Sequence, residues 1–260
     1  MMGSGRWKSF GKQLLIIGVL LWSVSPFLLD WPRITPSYFL DFITGMWPPD
    51  LSVLPALARP LGETLQMAVT ATALGSIVAV PLALLGARNT APHIMCCVLS
   101  RAIVATCRSI PSLLWAILLV VLLGLGPFTG VIALTIHSIG ALGRRFYEAV
   151  EAMGPIAKEV LEAMRVDGAN EAQVIWYGLL PLLAPLFAGY VVGRLDTNTR
   201  AGTALGLVGA GGIGLQLTTS IRMFRGHESL TIILAIAALV IGTDIFSQMA
   251  RRRLITDSGV

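Results

Sequence analysis

The chain has 260 residues, of which 55% are hydrophobic and 13% are charged, and its formal net charge is +5. Soluble domains use about 45–50% apolar and about 25% charged residues, so this composition excludes an ordinary soluble protein and indicates a membrane protein. A helix that crosses a bilayer needs about 20 largely apolar residues, which leaves room for about six crossings and for no large soluble domain. We therefore expect an all-α polytopic membrane protein whose energy source is another chain.

The positive charge does not indicate a nucleic-acid-binding protein, because the basic residues form short clusters at the ends of apolar segments. That placement is typical of residues that orient membrane helices. The three cysteines, Cys96, Cys97 and Cys107, have no metal-ligand spacing, so we predict neither a disulfide nor a metal site.

The first apolar segment, residues 14–29, follows Arg6, Lys8 and Lys12. It could be a signal peptide, but its apolar character continues past Pro26, which favours a retained anchor helix. A Pro- and Trp-rich stretch, residues 30–60, then opposes regular helix and suits the membrane interface. We predict that residues 1–60 form a transmembrane anchor and an external connection.

Five further apolar segments follow at residues 65–85, 110–125, 130–142, 179–192 and 230–249. With the N-terminus inside, the positive-inside rule places most basic clusters in the cytoplasm, including a basic tail at residues 251–260. Both termini are then cytoplasmic. The exceptions fall on the outer side between the last two crossings, and they are Arg194, Arg200, Arg222 and Arg225.

Polar residues within the apolar segments should face protein or a cavity. Glu63, Gln66 and Thr70 share one helical face, which predicts an inward-facing stripe. Arg144 and Glu148 are four residues apart and should pair. Asp244 could pair with an arginine.

The longest predicted cytoplasmic connection indicates two short helices. The first runs to Val166 and is stopped by Asp167-Gly168, where glycine suits the left-handed position after a helix. The second starts at Asn170, with Gln173 as its capping-box partner. A helix pair broken at a glycine presents a short rigid face that fits a groove, although an ordinary amphipathic surface loop is the plainer interpretation.

The order Glu162-Ala163, Gly168, Leu180-Pro181 resembles the EAA loop of ATP-binding-cassette importer permeases of type I, which have the MetI-like fold and depend on a binding protein. The sequence departs from that family at Met164, where a second alanine is usual, and at Gly178, where an aliphatic residue is usual. The resemblance implies a permease domain over residues 61–250 and a coupling loop, residues 155–181, that fits a groove on the ATPase. It assigns this coupling to Glu162, Ala163, Asp167, Gly168, Ala169, Leu180 and Pro181.

Three further stretches resemble the phosphonate and phosphite importer permeases: RSIPSLLWA at 108–116, residues 124–151, and NTRAGTALGLVGAGGIG at 198–214. Ser112 stands where many phosphonate permeases have an acidic residue. The resemblance implies inward transport of a phosphorus oxyanion, phosphonate or phosphite or else phosphate, across a bacterial inner membrane.

The resemblance also implies the partners. They are a cytoplasmic ATPase dimer that carries ATP and Mg, a periplasmic or lipid-anchored binding protein, and a second copy of this chain, with no cofactor on the chain itself. A permease for another substrate such as methionine is the alternative. A membrane enzyme acting on phospholipids is a further alternative, but it would need a carboxylate or metal-ligand motif that the sequence lacks.

The glycine-rich stretch 209–214 satisfies GxGxxG but lacks the strand, helix and acidic residue of a dinucleotide site. It also lacks the Gly-Lys-Ser/Thr sequence that ends the phosphate-binding loop of ATPases. In a membrane such glycines either let helices pack closely or break a helix so that its amides face a cavity, and both uses stay open. In the second use, guanidinium and amide groups would contact the oxyanion. The substrate path so predicted comprises Arg200, Thr203, Gly206, Gly209, Gly211, Gly212, His137 and Ser112. The arginines could instead meet a docked binding protein, and His137 could instead bridge two helices.

Overall fold

The computed structural model describes residues 15–25, 44–153 and 155–256, together with positions 13 and 40. They belong to two compact units, the first ending at Gly45 and the second beginning at Met46. The first unit contains helix α1, Leu15–Ser25. The basic residues before α1, most of the predicted connection up to residue 43, and the last four residues of the predicted tail lie outside the described residues.

The described residues of the second unit form helices and the turns between them, with no strand, which confirms the all-α prediction. Short 3-10 turns occur at Leu51–Val53 and Gly206–Val208, and a π-helical turn at Val174–Leu179 follows the single turn Glu171–Gln173. The helices are α2 (Leu54–Gly86), α3 (Ile94–Ser109), α4 (Ser112–Leu123), α5 (Pro127–Glu151), α6 (Pro155–Val166), α7 (Leu180–Leu205), α8 (Gly212–Arg222) and α9 (Gly226–Thr256).

The start of α2 corrects one expectation. The prolines up to residue 60 were expected to oppose regular helix, yet α2 begins at Leu54 and contains Pro60. Pro55 lies in the first turn, where a backbone N–H has no helical partner, so its missing donor costs nothing there. The helix therefore begins before the predicted boundary of the permease domain at residue 61.

The number of long apolar helices is lower than the predicted six crossings. By length and composition, three described stretches could cross a membrane: Leu51–Gly86, Glu171–Val208 and Gly226–Arg253. A fourth is α3 with α4, counted as one span broken by a bend of 87°. The bend lies at Ile110, whose extended backbone is favoured before Pro111, so the apolar segment predicted at 110–125 forms the second half of this broken span. α1 is shorter than a span, and α5 carries polar residues at its centre.

The core of the second unit is the contact between α2 and α5, against which α3, α4 and α7 pack. The two helices approach closely because Gly75 has no side chain: a Cβ atom there would lie 2.6 Å from the Cβ of Ser138. Two apolar clusters follow, one around Leu134 and Leu205 and the other around Phe146 and Phe187, whose rings stack 4.1 Å apart.

Two groups of polar residues lie elsewhere than predicted. Arg194 and Arg200 belong to α7 instead of a loop after it, because the helix continues through the polar run to Leu205. On α2, Gln66 and Thr70 are exposed in the single chain and the buried face carries Thr64 and Met67, so the predicted stripe is not buried within one chain, and its facing a cavity stays a prediction.

Candidate functional site

The segment 155–181, named the elbow below, turns at Gly168. This glycine has φ of +90°, as the sequence predicts. The amide of Asp167 donates to the carbonyl of Ala163 at 3.0 Å, and that of Ala169 donates to the carbonyl of Met164 at 3.0 Å. These bonds satisfy the last carbonyls of α6 and fix the direction in which the chain leaves it.

The second arm of the elbow starts with the predicted capping box. The amide of Gln173 donates to Oδ1 of Asn170 at 2.9 Å, and the amide of Asn170 donates to Oε1 of Gln173 at 2.9 Å. An ion pair that the sequence analysis missed joins the two arms: the guanidinium of Arg165 donates to both oxygens of Glu171, at 2.9 and 3.0 Å.

The inner face of the elbow is apolar and packs onto the helical bundle. Leu161, Val174 and Leu179 are buried and share one cluster with the ends of α2, α5 and α7. Met164 is half-buried and covers Gly178. The elbow is thus a continuation of the core and not a loose loop.

The outer face of the elbow is exposed although much of it is apolar. The exposed fractions are 87% for Val166, 68% for Trp176 and 77% for Tyr177. Among the residues predicted to couple, Ala169 and Leu180 are half-buried, and those on the exposed face are Glu162, Ala163, Asp167, Gly168 and Pro181. An exposed apolar face rimmed by charges is typical of a protein contact.

On the predicted substrate path, the side chain of Arg200 is 53% exposed and pairs with Asp196 and, at 3.7 Å, with Asp244 of α9. The pairing of Asp244 with an arginine is therefore confirmed. Thr203 lies one turn on, and its hydroxyl donates to the carbonyl of Arg200 at 2.7 Å. The structure brings these two path residues together on α7.

The glycine-rich turn is buried between helices. Gly209, Gly211 and Gly212 have positive φ, and the amide of Ile213 donates to Oγ1 of Thr64 on α2 at 2.9 Å. A Cβ atom on Gly206 would overlap the backbone of α8. These contacts support the close-packing use of the glycines, and the role of the turn as an anion path stays a prediction.

Ser112 lies at the bend between α3 and α4, and His137 of α5 contacts that bend. Nδ1 of His137 is 3.2 Å from the carbonyl oxygen of Ile110, so the histidine links α5 to the bend. Ser112 begins α4 two residues later and is half-buried. The interhelical bond is the alternative that the sequence left open for His137, and substrate contact by either residue stays a prediction.

A buried polar cluster at the centre of the bundle was missed from the sequence. Ser138 accepts from Nε of Arg194 at 3.0 Å and from Nδ2 of Asn198 at 2.9 Å, and Asn198 also donates to Oγ1 of Thr72 at 2.9 Å. Nη2 of Arg194 is buried with no hydrogen-bond partner. The cluster ties α2, α5 and α7 together, and its signal in the sequence was Arg194, which departs from the positive-inside rule.

Within the described ranges, no group of three or more His, Cys, Asp or Glu side chains could hold a metal ion.

The ion pair Arg144–Glu148, predicted from its spacing, is confirmed at 2.5 Å and lies along α5.

Comparison with known proteins agrees with this architecture. The chain is 37% identical to the phosphite transport system permease protein PtxC of Stutzerimonas stutzeri over 96% of this chain and 91% of that protein. It is 38% identical to the putative phosphite transport system permease protein HtxC of the same species, over 81% of this chain and 74% of that protein.

A solved structure shares the fold. A chain of the MetNI methionine ABC transporter, in an inward-facing conformation, has a TM-score of 0.65 and 23% identity, with 79% of this chain and 99% of that chain covered. Residues 79–256 match the family described as the binding-protein-dependent transport system inner membrane component, and this stretch includes the elbow, the glycine-rich turn and every residue of the buried polar cluster except Thr72. The chain belongs to that family and is an ABC importer permease of its phosphite and phosphonate branch.

Proposed function

We propose that the chain is the permease subunit that moves a phosphorus oxyanion, phosphite first among them, into the cytoplasm at the expense of ATP hydrolysed by a partner. The similarity to a phosphite permease over nearly the full length of both chains carries this proposal. Methionine is the weaker candidate, because the likeness to the methionine transporter at 23% identity concerns the fold alone.

The elbow supplies the coupling in this proposal. It faces the cytoplasm, and its exposed face around Val166, Trp176 and Tyr177 enters a groove on an ATPase dimer that holds ATP and Mg. Because the inner face of the elbow is part of the bundle core, closure of the ATPase cannot move the elbow without moving α5 and α7. ATP binding then opens the pathway outward, and hydrolysis returns it inward.

The orientation follows from charge. Arg251, Arg252 and Arg253 lie consecutively near the end of α9, and by the positive-inside rule they support a cytoplasmic C-terminus. The N-terminus lies on the same side in the proposed topology. A second copy of the chain completes the pathway, and a periplasmic or lipid-anchored binding protein delivers the anion.

Arg200 and the glycine-rich turn form the proposed anion path. The guanidinium of Arg200 is half exposed and its pair with Asp244 is long, so an oxyanion can replace that partner without leaving Arg200 unpaired. Weak and replaceable contacts suit a permease, because the binding protein supplies affinity and the anion must leave again.

The test is reconstitution. The chain is placed in proteoliposomes with its candidate ATPase and binding protein, and ATP-dependent uptake of phosphite, methylphosphonate, phosphate and methionine is measured in parallel. We expect uptake of phosphite or another phosphorus oxyanion only with all components and ATP. Uptake of methionine in preference to every oxyanion would refute the substrate, and uptake without the ATPase would refute the mechanism.

A further inference from the structure

Glu151, the last residue of α5, contacts two other helices, α2 at its end and α3 at its middle. Its Oε1 accepts from Nη2 of Arg101 on α3 at 2.5 Å and from the backbone amide of Arg88, just beyond α2, at 2.7 Å. Arg101 completes the connection, because its Nε donates to the carbonyl of Gly86 at 2.8 Å. One carboxylate oxygen thus joins the end of α5 to the end of α2 and to the middle of α3, and we name Glu151, Arg101 and the backbone of 86–88 the latch.

Neighbouring contacts hold the latch in place. Nδ2 of Asn89 donates to the carbonyl of Val150 at 2.8 Å, and the guanidinium of Arg101 lies 4.8 Å from the ring centre of Tyr147. The side chains of Arg101 and Glu151 are 29% and 28% exposed, so solvent screens their attraction less than it screens a surface pair. An aromatic face and two backbone groups restrict the arginine to this geometry.

The latch lies directly beside the elbow along the chain. α6 begins at Pro155, four residues after Glu151, so a displacement of α6 acts on Glu151 through a short connection. In space, a cavity of about 190 Å³ lies between the elbow and the corner after α2, and its lining includes Asn89, Thr90, Lys158 and Glu171. None of the described hydrogen bonds crosses that cavity. The direct polar connection from the junction of α5 and α6 to the corner, residues 86–91, therefore runs through residues 150 and 151.

We propose that Glu151 is a positioning residue that transmits movement of the elbow to the end of α2 and to the middle of α3. The corner 86–91 also touches the elbow through Ala87, which shares an apolar cluster with Leu161 and Val174, but apolar contact is non-directional and lets the two surfaces slide. The directional hydrogen bonds of the latch make the corner follow α5 when the ATPase moves the elbow, and without them the elbow moves α5 and α7 while the corner lags. This inference rests on the proposed function, since it needs an ATPase that drives the elbow.

The experiment compares Glu151→Gln with a matched control in the complete complex. Glutamine keeps an oxygen that accepts from the amide of Arg88 but loses the charge that holds Arg101. The control is Glu148→Gln, because Glu148 lies on the same helix and pairs at the same 2.5 Å, but with Arg144 of its own helix. Amide hydrogen exchange is measured at 158–177 and at 86–91, with and without a non-hydrolysable ATP analogue and Mg²⁺, and uptake per ATP hydrolysed is measured in proteoliposomes.

In the wild type and in Glu148→Gln we expect the nucleotide to change exchange at both segments. In Glu151→Gln we expect the change at 158–177 to remain, the change at 86–91 to disappear, and uptake per ATP to fall by about fivefold or more, the lower end of coupling between sites. If 86–91 in Glu151→Gln responds to nucleotide as the control does, the latch proposal is overturned. A purely structural role would show as faster exchange at 86–91 before nucleotide is added, with the response intact, and would overturn it as well.

The two readouts separate this proposal from the proposed function. The exchange measurement needs the ATPase but no transported anion, so an error in the substrate leaves it valid. If nucleotide leaves the elbow of the wild type unchanged, the coupling role of the elbow and the latch proposal both fail.

Discussion

The sulfur of Met164 lies 2.8 Å from the position that a Cβ atom on Gly178 would occupy. These two positions are the two departures of the elbow from the usual EAA pattern, and they face each other across its arms. A larger residue on one arm is accommodated by the absence of a side chain on the other. The two departures from the EAA pattern therefore compensate for each other in packing, and the fold of the elbow is kept.

This pairing predicts compensation. Gly178→Leu alone should collide with Met164 and Leu161 and destabilise the elbow by about 1–3 kcal/mol, as overpacking does. Adding Met164→Ala, which restores the usual pair of residue types, should recover most of that loss. Hydrogen exchange of the elbow amides in the wild type, both single variants and the double variant measures the coupling. A double variant no more stable than Gly178→Leu would show that the two side chains do not share this space.

Gly168 gives a second prediction, because its φ of +90° is unfavourable for residues with a Cβ atom. Gly168→Val should cost about 1–2 kcal/mol locally and lower uptake per ATP hydrolysed, because the second arm would leave α6 in a different direction. Gly168→Asn is the matched control and should be milder, since asparagine tolerates left-handed backbone. Equal uptake per ATP in the valine variant and the wild type would contradict the role of this turn.

The buried polar cluster predicts a stability effect. Ser138→Ala removes the oxygen that accepts from Arg194 and Asn198, so buried donors lose their partner and unfolding should become easier by about 1–3 kcal/mol. Ser109→Ala is the control, because that hydroxyl is exposed and donates within its own helix. Thermal unfolding of both variants in the same detergent makes the comparison. Equal melting temperatures would show that the cluster contributes nothing to stability.

Arg200 tests the anion path. Arg200→Ala should lower oxyanion uptake by about tenfold or more, the loss of one charge-assisted hydrogen bond, while assembly with the ATPase is retained. Asp244→Asn removes only the longer of its two ion pairs and should leave uptake close to that of the wild type. If the alanine variant assembles and transports normally, Arg200 does not line the path.

Local features of the elbow and of α5 could be predicted from the sequence because they depend on residues a few positions apart. The left-handed Gly168, the Asn170–Gln173 capping box and the Arg144–Glu148 pair are of this kind, and each is confirmed. Helix and cap chemistry act within one or two turns, so spacing alone specifies them.

Features that depend on tertiary contact could not be predicted. Arg194 looks like a loop residue by hydropathy, yet it lies buried in α7, where Ser138, 56 residues away in sequence, accepts a hydrogen bond from its guanidinium. Glu151 looks like the acidic end of a helix, and its partner Arg101 is 50 residues distant. The bend at Ile110 combines a local cause, the following proline, with packing of α4 that no periodicity reveals. A single sequence holds no record of such distant pairs.

The most direct test of the coupling role is photo-crosslinking from the tip of the elbow. A photoreactive amino acid is placed at Val166 and, as control, at Val121 of α4, which are 87% and 81% exposed, in the assembled complex. We predict that the probe at Val166 crosslinks to the ATPase subunit in a nucleotide-dependent manner and that the probe at Val121 does not. Absence of a crosslink from position 166 in a complex that hydrolyses ATP and transports would contradict the coupling role of the elbow. Labelling of Val166→Cys by an impermeant thiol reagent from outside intact cells would contradict it as well.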